Sequence, residues 1–457
     1  MSKNDNVMKI KNNYFDGLKV TKKQFLIFVI VASAYFFDIF DQAIFTFTAP
    51  AIMASMKLKA TDIAAISSVY FLGNTFGGLF GGIFSDIIGR RKTMLISIFL
   101  FTLGSVLNGA TNNVAFFTAT RAITGFGLMC MLVVTITYMA EVSPKESRGR
   151  WEALITGFGS LAGPLIGFVC AYVVPLGPEA WRYIFYSSGI AFVFLAVAFV
   201  FLKESPRWLM SRGRQTEAEE IVSSISGIPI DLSDVVASSG KRIKTSEVIA
   251  EMFSPLYLKR TIILFIVLGG GVVSLQITQP WTATLLKMSG FSMKDSILLT
   301  TLFTFGIPLG QFVAAYFSDK GGRRLPIAAF SILYCLVTIP FLLLIHSNFY
   351  VVALFGLLFN LTATARNFII HPYVAESMPT RLRNSVTGIL NAASRFAASG
   401  AQFVVPMLFA GFGIAGVFGL GMGLSALAAI VVLLFGWRSA HISLEDINEK
   451  LIVKSDS

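Results

Sequence analysis

The chain has 457 residues, of which 55% are hydrophobic and only 14% charged. A soluble globular protein carries roughly 25% charged residues, so most of this chain must face lipid or other apolar helices. The net charge of +12 does not point to nucleic acid, because Lys and Arg sit in short loops between long apolar runs rather than on one basic face or in a separate domain.

In chain order, residues 1–24 form a polar, basic tail containing Lys3, Lys9, Lys11, Lys19, Lys22 and Lys23. The apolar run that follows, from Phe25 to about Met56, is too long for the ~7–15-residue core of a cleavable signal peptide. A membrane-spanning helix needs about 20 mostly apolar residues. Twelve runs meet that need: 25–50, 63–84, 93–112, 115–139, 152–174, 182–202, 259–284, 295–317, 326–345, 349–373, 385–409 and 414–436. The predicted fold class is therefore an all-α membrane protein of twelve transmembrane helices. The expected domains are a six-helix bundle over 25–202, a polar linker over 203–258, a second six-helix bundle over 259–436, and a tail over 437–457. Lys and Arg crowd the segments that share a side with both tails, while the other side holds only Lys57, Lys59, Arg182, Lys287 and Lys294. By the positive-inside rule both termini are expected in the cytoplasm, with the protein in the cell membrane. Cys130, Cys170 and Cys335 lie inside apolar runs without CxxC spacing, which suits packing rather than disulfides or metal.

Charged residues within the spans are the chemical candidates, because each carries an insertion cost of about 2.5–3.5 kcal/mol. Asp38 and Asp41 lie in the first span, three residues apart and so on one helix face. Two close carboxylates in an apolar setting resist joint ionisation, which favours uptake of a proton by one of them; both are candidate proton-coupling residues. Arg121, Arg366 and Arg395 are the matching cations. A guanidinium stays charged and offers a fork that fits a carboxylate. Three arginines against two acids leave room for a substrate anion, the alternative being internal ion pairs or helix packing. Gln276, Gln279 and Trp281 in the seventh span and Asn391 in the eleventh are further candidate substrate contacts, Trp281 equally fitting an interfacial belt. Asn360, Tyr138 and His371 fit bridging or packing roles better. Gly73, Gly77 and Gly81 recur every four residues, a spacing that lets helices approach closely. The chain shows no nucleophile–base set, metal cluster or nucleotide loop, so no enzyme activity and no cofactor are expected.

Two motif pairs then reveal an internal repeat. Ser85-Asp86-Ile-Ile-Gly89-Arg90-Arg91 matches Ser318-Asp319-Lys-Gly-Gly322-Arg323-Arg324 at an offset of 233, and Tyr138-Met-Ala-Glu141 matches Tyr373-Val-Ala-Glu376 at 235. Parallel repeats of this kind are a property of the major facilitator superfamily. Over about residues 25–436 the chain resembles that superfamily. The loop Gly82-x-x-x-Asp86-x-x-Gly89-Arg90-Arg91 is similar to its signature, and Ala315 departs from it in the second copy. Glu141-x6-Arg148, Glu376-x6-Arg383 and Glu204-Ser-Pro-Arg207-Trp208 resemble the sugar and organic-acid branches. Asp38-Ile-Phe-Asp41 is similar to the Asp-Gly-x-Asp motif of aromatic acid/proton symporters, with Ile39 in place of Gly. The sugar-porter Gln-Gln motif is absent from the seventh span, although Ser443-Leu-Glu-Asp-Ile447 resembles a sugar-porter ending. Gly159-x-x-x-Gly163-Pro164-x-x-Gly167 matches part of the drug-antiporter motif.

The resemblance implies a monomeric secondary transporter working by alternating access. It implies proton-coupled import of a small, anionic organic acid driven by the proton gradient, with sugar uptake and drug efflux as alternatives. It also implies that Asp86, Arg90, Arg91, Glu141 and Arg148, with Asp319, Arg323, Arg324, Glu376 and Arg383 in the second copy, act as conformational gates. The partners are the small-molecule substrate, protons and the lipid bilayer.

Overall fold

Long uninterrupted apolar stretches satisfy their backbone hydrogen bonds internally as helices, the form that survives without water. The computed structural model describes residues 20–144, 155–233, 245–318, 322–379 and 382–437, with the short pieces 8–9 and 14–15. Its helices are α1 Lys22–Ser55, α2 Ala60–Ile88, α3 Arg90–Ala110, α4 Val114–Val142, α5 Ile155–Leu176 and α6 Trp181–Phe201. Three shorter helices follow, α7 Pro206–Ser211, α8 Gln215–Ser226 and α9 Thr245–Met252. The rest are α10 Leu258–Met288, α11 Met293–Phe317, α12 Arg324–Leu343, α13 Phe349–Glu376, α14 Arg383–Ala401 and α15 Val404–Phe435. Two residue pairs form a minimal parallel sheet, β1 Met8–Lys9 against β2 Ile230–Asp231.

Eleven of these helices are long and apolar enough to cross a membrane. The twelfth long helix, α14, carries Arg383, Asn384, Thr387, Asn391, Ser394, Arg395 and Ser399. That polar load keeps it below the apolar standard although it spans 19 residues. The predicted gap at 410–413 corresponds to a kink inside α15, where Gly413 adopts φ 62°, a conformation open to glycine. Other breaks also have local causes. Pro280 removes a backbone donor and leaves a 3₁₀ turn at Gln279–Trp281 within α10. The helical run of α11 is interrupted at Phe305, three residues before Pro308.

Backbone contacts divide the chain into two units. The first comprises Met1–Asp41, Gly73–Ala162 and Phe185–Arg242. Within it α2 meets α4 along the small-residue stripe: a Cβ on Gly73 or Gly77 would lie 2.3 or 2.2 Å from the Ala122 or Phe126 carbonyl oxygen. Beside that stripe on α2, Phe76, Phe80 and Phe84 stack in an exposed row, as suits a lipid-facing surface. The second unit comprises Gln42–Leu72, Gly163–Ile184 and Ile243–Ser457. Its core includes Val248, Leu264, Val267, Ile369, Tyr373 and Val386, drawn from α9, α10, α13 and α14.

Candidate functional site

In the first unit, the acids of α1 meet the cation of α4. Arg121 Nη1 donates to Asp41 Oδ2 at 2.8 Å, with both side chains at most 2% exposed. The Ser105 hydroxyl of α3 donates to the other carboxylate oxygen of Asp41. Asp38 lies one turn earlier on α1 and is also buried. Taking either partner away from such a pair strands a charge in an apolar setting, at a cost of about 3–5 kcal/mol.

In the second unit, the broken helix α10 presents a polar cluster. Gln279 and Trp281 of its 3₁₀ turn meet different neighbours. Gln279 Nε2 donates to Asn360 Oδ1 of α13 at 2.7 Å. The Trp281 indole N–H donates to Gln402 Oε1 at 2.8 Å, and Gln402 Nε2 donates to the Gln276 carbonyl at 3.1 Å. Trp281 is thus buried in the protein and does not occupy a lipid-facing belt. Asn391 of α14 bonds back to the Thr387 carbonyl at 2.9 Å. Arg395, also on α14, is half-buried and within electrostatic reach of His371 on α13.

Arg366 stands apart from this cluster. It is fully buried, and its guanidinium reaches the Ser425 hydroxyl, the Gly271 carbonyl and the face of the Tyr334 ring, 5.0 Å from its centroid. Among the described residues no carboxylate pairs with it. Carbonyl, hydroxyl and ring quadrupole together hold the charge.

Both copies of the repeated loop carry an arginine–glutamate pair. Arg90 donates Nε and Nη2 to the Glu141 carboxylate at 3.2 and 3.0 Å, and Nη1 to Asp86 at 3.0 Å. At the equivalent place Arg323 Nε donates to Glu376 at 2.6 Å and Nη1 bonds the Ser318 hydroxyl. Arg91 and Arg324 instead bond helix-end carbonyls, of Phe199 and of Val432 and Leu433. Arg383 sits at the start of α14, while Arg148 and Asp319 lie outside the described residues. The Glu204-Ser-Pro-Arg-Trp motif has a local explanation. Glu204 Oε1 accepts from the backbone N–H of Arg90 and Arg91 at 2.8 and 3.2 Å, capping α3 with a negative charge at its positive end. Ser205 caps α7 through Trp208 N–H at 3.2 Å, with Pro206 in its first turn.

Sequence reasoning missed Ser105, Gln402 and Tyr334. Gln402 was detectable as a polar side chain inside the predicted span 385–409; a serine or tyrosine in a helix gives no comparable signal.

A helical membrane protein with a buried acid–arginine pair, a second polar cluster on broken helices and duplicated charged loops belongs to the class of transporters, not enzymes. Comparison with known proteins agrees. A family model described as "Sugar (and other) transporter" matches residues 22–451. Relatives include a niacin transporter of Acinetobacter baylyi, 26% identical over 92% of this chain and 95% of the relative. A gallate transporter of Pseudomonas putida is 27% identical over 92% and 94% of the two chains. In structure the chain is similar to the inward-open xylose transporter from Escherichia coli, with TM-score 0.74 at 19% identity over 93% of this chain and 99% of that one. The chain belongs to the Sugar (and other) transporter family and has the major facilitator fold.

Proposed function

We propose that this secondary transporter is a proton-coupled symporter importing a small organic acid, with an aromatic carboxylate as the substrate class. The observation that carries the reading is the buried Asp41–Arg121 pair with its Ser105 bond. Protonation of Asp41 weakens its hold on Arg121, and the released guanidinium takes the substrate carboxylate through a bidentate fork. Proton and anion then enter the site together as a neutral pair, which removes the cost of carrying a lone charge through the membrane interior. Arg395, the amides of Gln276, Gln279 and Asn391, and Trp281 are the candidate substrate contacts of the second unit. The arginine–glutamate pairs of the duplicated loops act as conformational gates, with both termini in the cytoplasm. The niacin and gallate relatives support an aromatic acid as substrate.

The test is uptake into proteoliposomes under an inside-alkaline gradient, with labelled nicotinate, 4-hydroxybenzoate and xylose run in parallel. Gradient-driven accumulation of an acid is expected. Asp41→Asn should abolish accumulation while leaving energy-independent counterflow in place. Intact accumulation in Asp41→Asn would overturn proton coupling at this residue. The second reading, sugar uptake, is favoured by the amide-rich cluster of Gln276, Gln279, Asn360 and Gln402. Xylose accumulation in the same assay would select it.

A further inference from the structure

One groove of the first unit is used by none of the steps above. It lies where α2, α3 and α6 end, is roofed by α7 and α8, and has a volume of about 360 Å³. Four of its lining side chains are basic, Arg91, Lys92, Lys203 and Arg214, and two are acidic, Glu204 and Glu217. Both acids are already engaged. Glu217 is held by Arg214 through two bonds, at 2.6 and 2.5 Å. Glu204 Oε1 accepts three backbone N–H groups, of Arg90, Arg91 and Ser205. Arg91, Lys92 and Lys203 therefore face the groove with no carboxylate partner among the described residues. Arg91 Nε is in addition buried with no hydrogen-bond acceptor. The groove wall is thus rich in donors and carries uncompensated positive charge, which calls for an anion with several acceptor oxygens.

The surroundings decide which kind of anion. The Arg91 guanidinium lies 5.5 Å from the centroid of the Phe199 ring. Phe199 is 63% exposed, and its neighbours Val200 and Phe201 and, on α2, Ile87 are exposed too. Such a contiguous apolar face on a membrane protein meets acyl chains, so the cations sit at the boundary where lipid phosphates lie. We propose that this groove binds the phosphate of an anionic phospholipid, with Arg91, whose Nη2 also holds the Phe199 carbonyl, and Lys92 and Lys203 as the charged donors, and the acyl chains along Ile87 and Phe199–Phe201. A soluble phosphate would satisfy the same donors but would leave the apolar face unused.

The purified full-length protein in detergent, titrated with phosphatidylglycerol and followed by native mass spectrometry, tests this. Lys92 and Lys203 are exposed, so K92Q/K203Q leaves the fold in place, as its melting temperature will check. The double variant is expected to bind the lipid roughly 30-fold more weakly, about fivefold for each lysine. The control K287Q/K294Q, which removes two exposed lysines elsewhere, should bind as the parent does. Zwitterionic phosphatidylcholine should not be retained, and millimolar inorganic phosphate or ATP should not displace phosphatidylglycerol. Unchanged lipid binding in K92Q/K203Q, or an equal loss in the control, would overturn the site. Displacement by inorganic phosphate or ATP would overturn the lipid and assign the groove to a soluble anion.

Discussion

Two glycines of the same loop motif have different reasons to be there. Gly89 has φ +100°, and a Cβ there would lie 2.3 Å from a Glu204 carboxylate oxygen. Gly82 lies within α2 with nothing within 4 Å of a Cβ. Gly89→Ala should therefore cost about 1–3 kcal/mol through backbone strain and also displace the carboxylate that caps α3. Gly82→Ala should be neutral or stabilising by about 0.5–1 kcal/mol, because alanine is the better helix former. Melting temperatures of the two variants in detergent decide it, and equal losses would contradict the distinction. Chemistry at this scale was partly legible in the sequence. Asp38, Asp41 and Arg121 stood out because a charge within an apolar run is costly, and the pairing of Asp41 with Arg121 follows from that cost. Ser105 was not legible, since a hydroxyl in a span bonds its own helix as readily as a neighbour.

At the scale of elements, the breaks in the helices do more than the helices themselves. Pro280 breaks the ladder at a 3₁₀ turn, and on either side of it Gln279 and Trp281, two residues apart and so on different faces, reach α13 and Gln402 respectively. Gln402 lies just beyond α14 and ties that helix end to α10 through two bonds. Gln402→Ala leaves the buried indole N–H without its acceptor, an expected cost of about 1–3 kcal/mol. Gln402→Glu keeps an acceptor for the indole but sets a buried carboxylate against the Gln276 and Ala398 carbonyl oxygens in place of the amide donor, so its melting temperature should fall at least as far as that of alanine. If this cluster reads the substrate, Gln402→Ala also raises KM for uptake severalfold at little change in kcat. The apolar spans were legible because length and hydropathy alone decide them. The polar helix α14 and the kink at Gly413 depend on tertiary surroundings, which hydropathy does not encode.

At the scale of the whole molecule, duplication explains the paired loops. Arg90–Glu141 and Arg323–Glu376 are the same bond made twice, and glycine takes positive φ at both Gly89 and Gly322. Charge reversal at one copy, Arg323→Glu, should slow transport without abolishing expression. The double change Arg323→Glu with Glu376→Arg should restore part of the rate, which a purely topological role for these charges would not produce. A different contact bears on alternating access. Within the second unit, the Ser399 hydroxyl of α14 donates to the Ser68 carbonyl of α2 at 2.9 Å, and the two hydroxyls are 3.0 Å apart. In the same unit, Phe168 of α5 packs on Phe305 of α11, with ring centroids 6.0 Å apart. Transport by alternating access requires each end of the protein to open in turn, so contacts of this kind must break once per cycle. The double variant Ser68→Cys/Ser399→Cys should then transport normally under reducing conditions and stop on oxidation, with recovery on adding dithiothreitol. Glu179 offers the matching pH control. The Ser55 hydroxyl and Arg182 hold its carboxyl below the usual carboxylate range, so it stays ionised across the neutral range and loses these bonds only as the pH falls through that lowered value. Glu179→Gln should therefore leave the pH profile of uptake unmoved, whereas Asp41→Asn should flatten it. Undiminished turnover in the oxidised cysteine pair would show that α2 and α14 stay together throughout the cycle, and the moving boundary would then lie elsewhere.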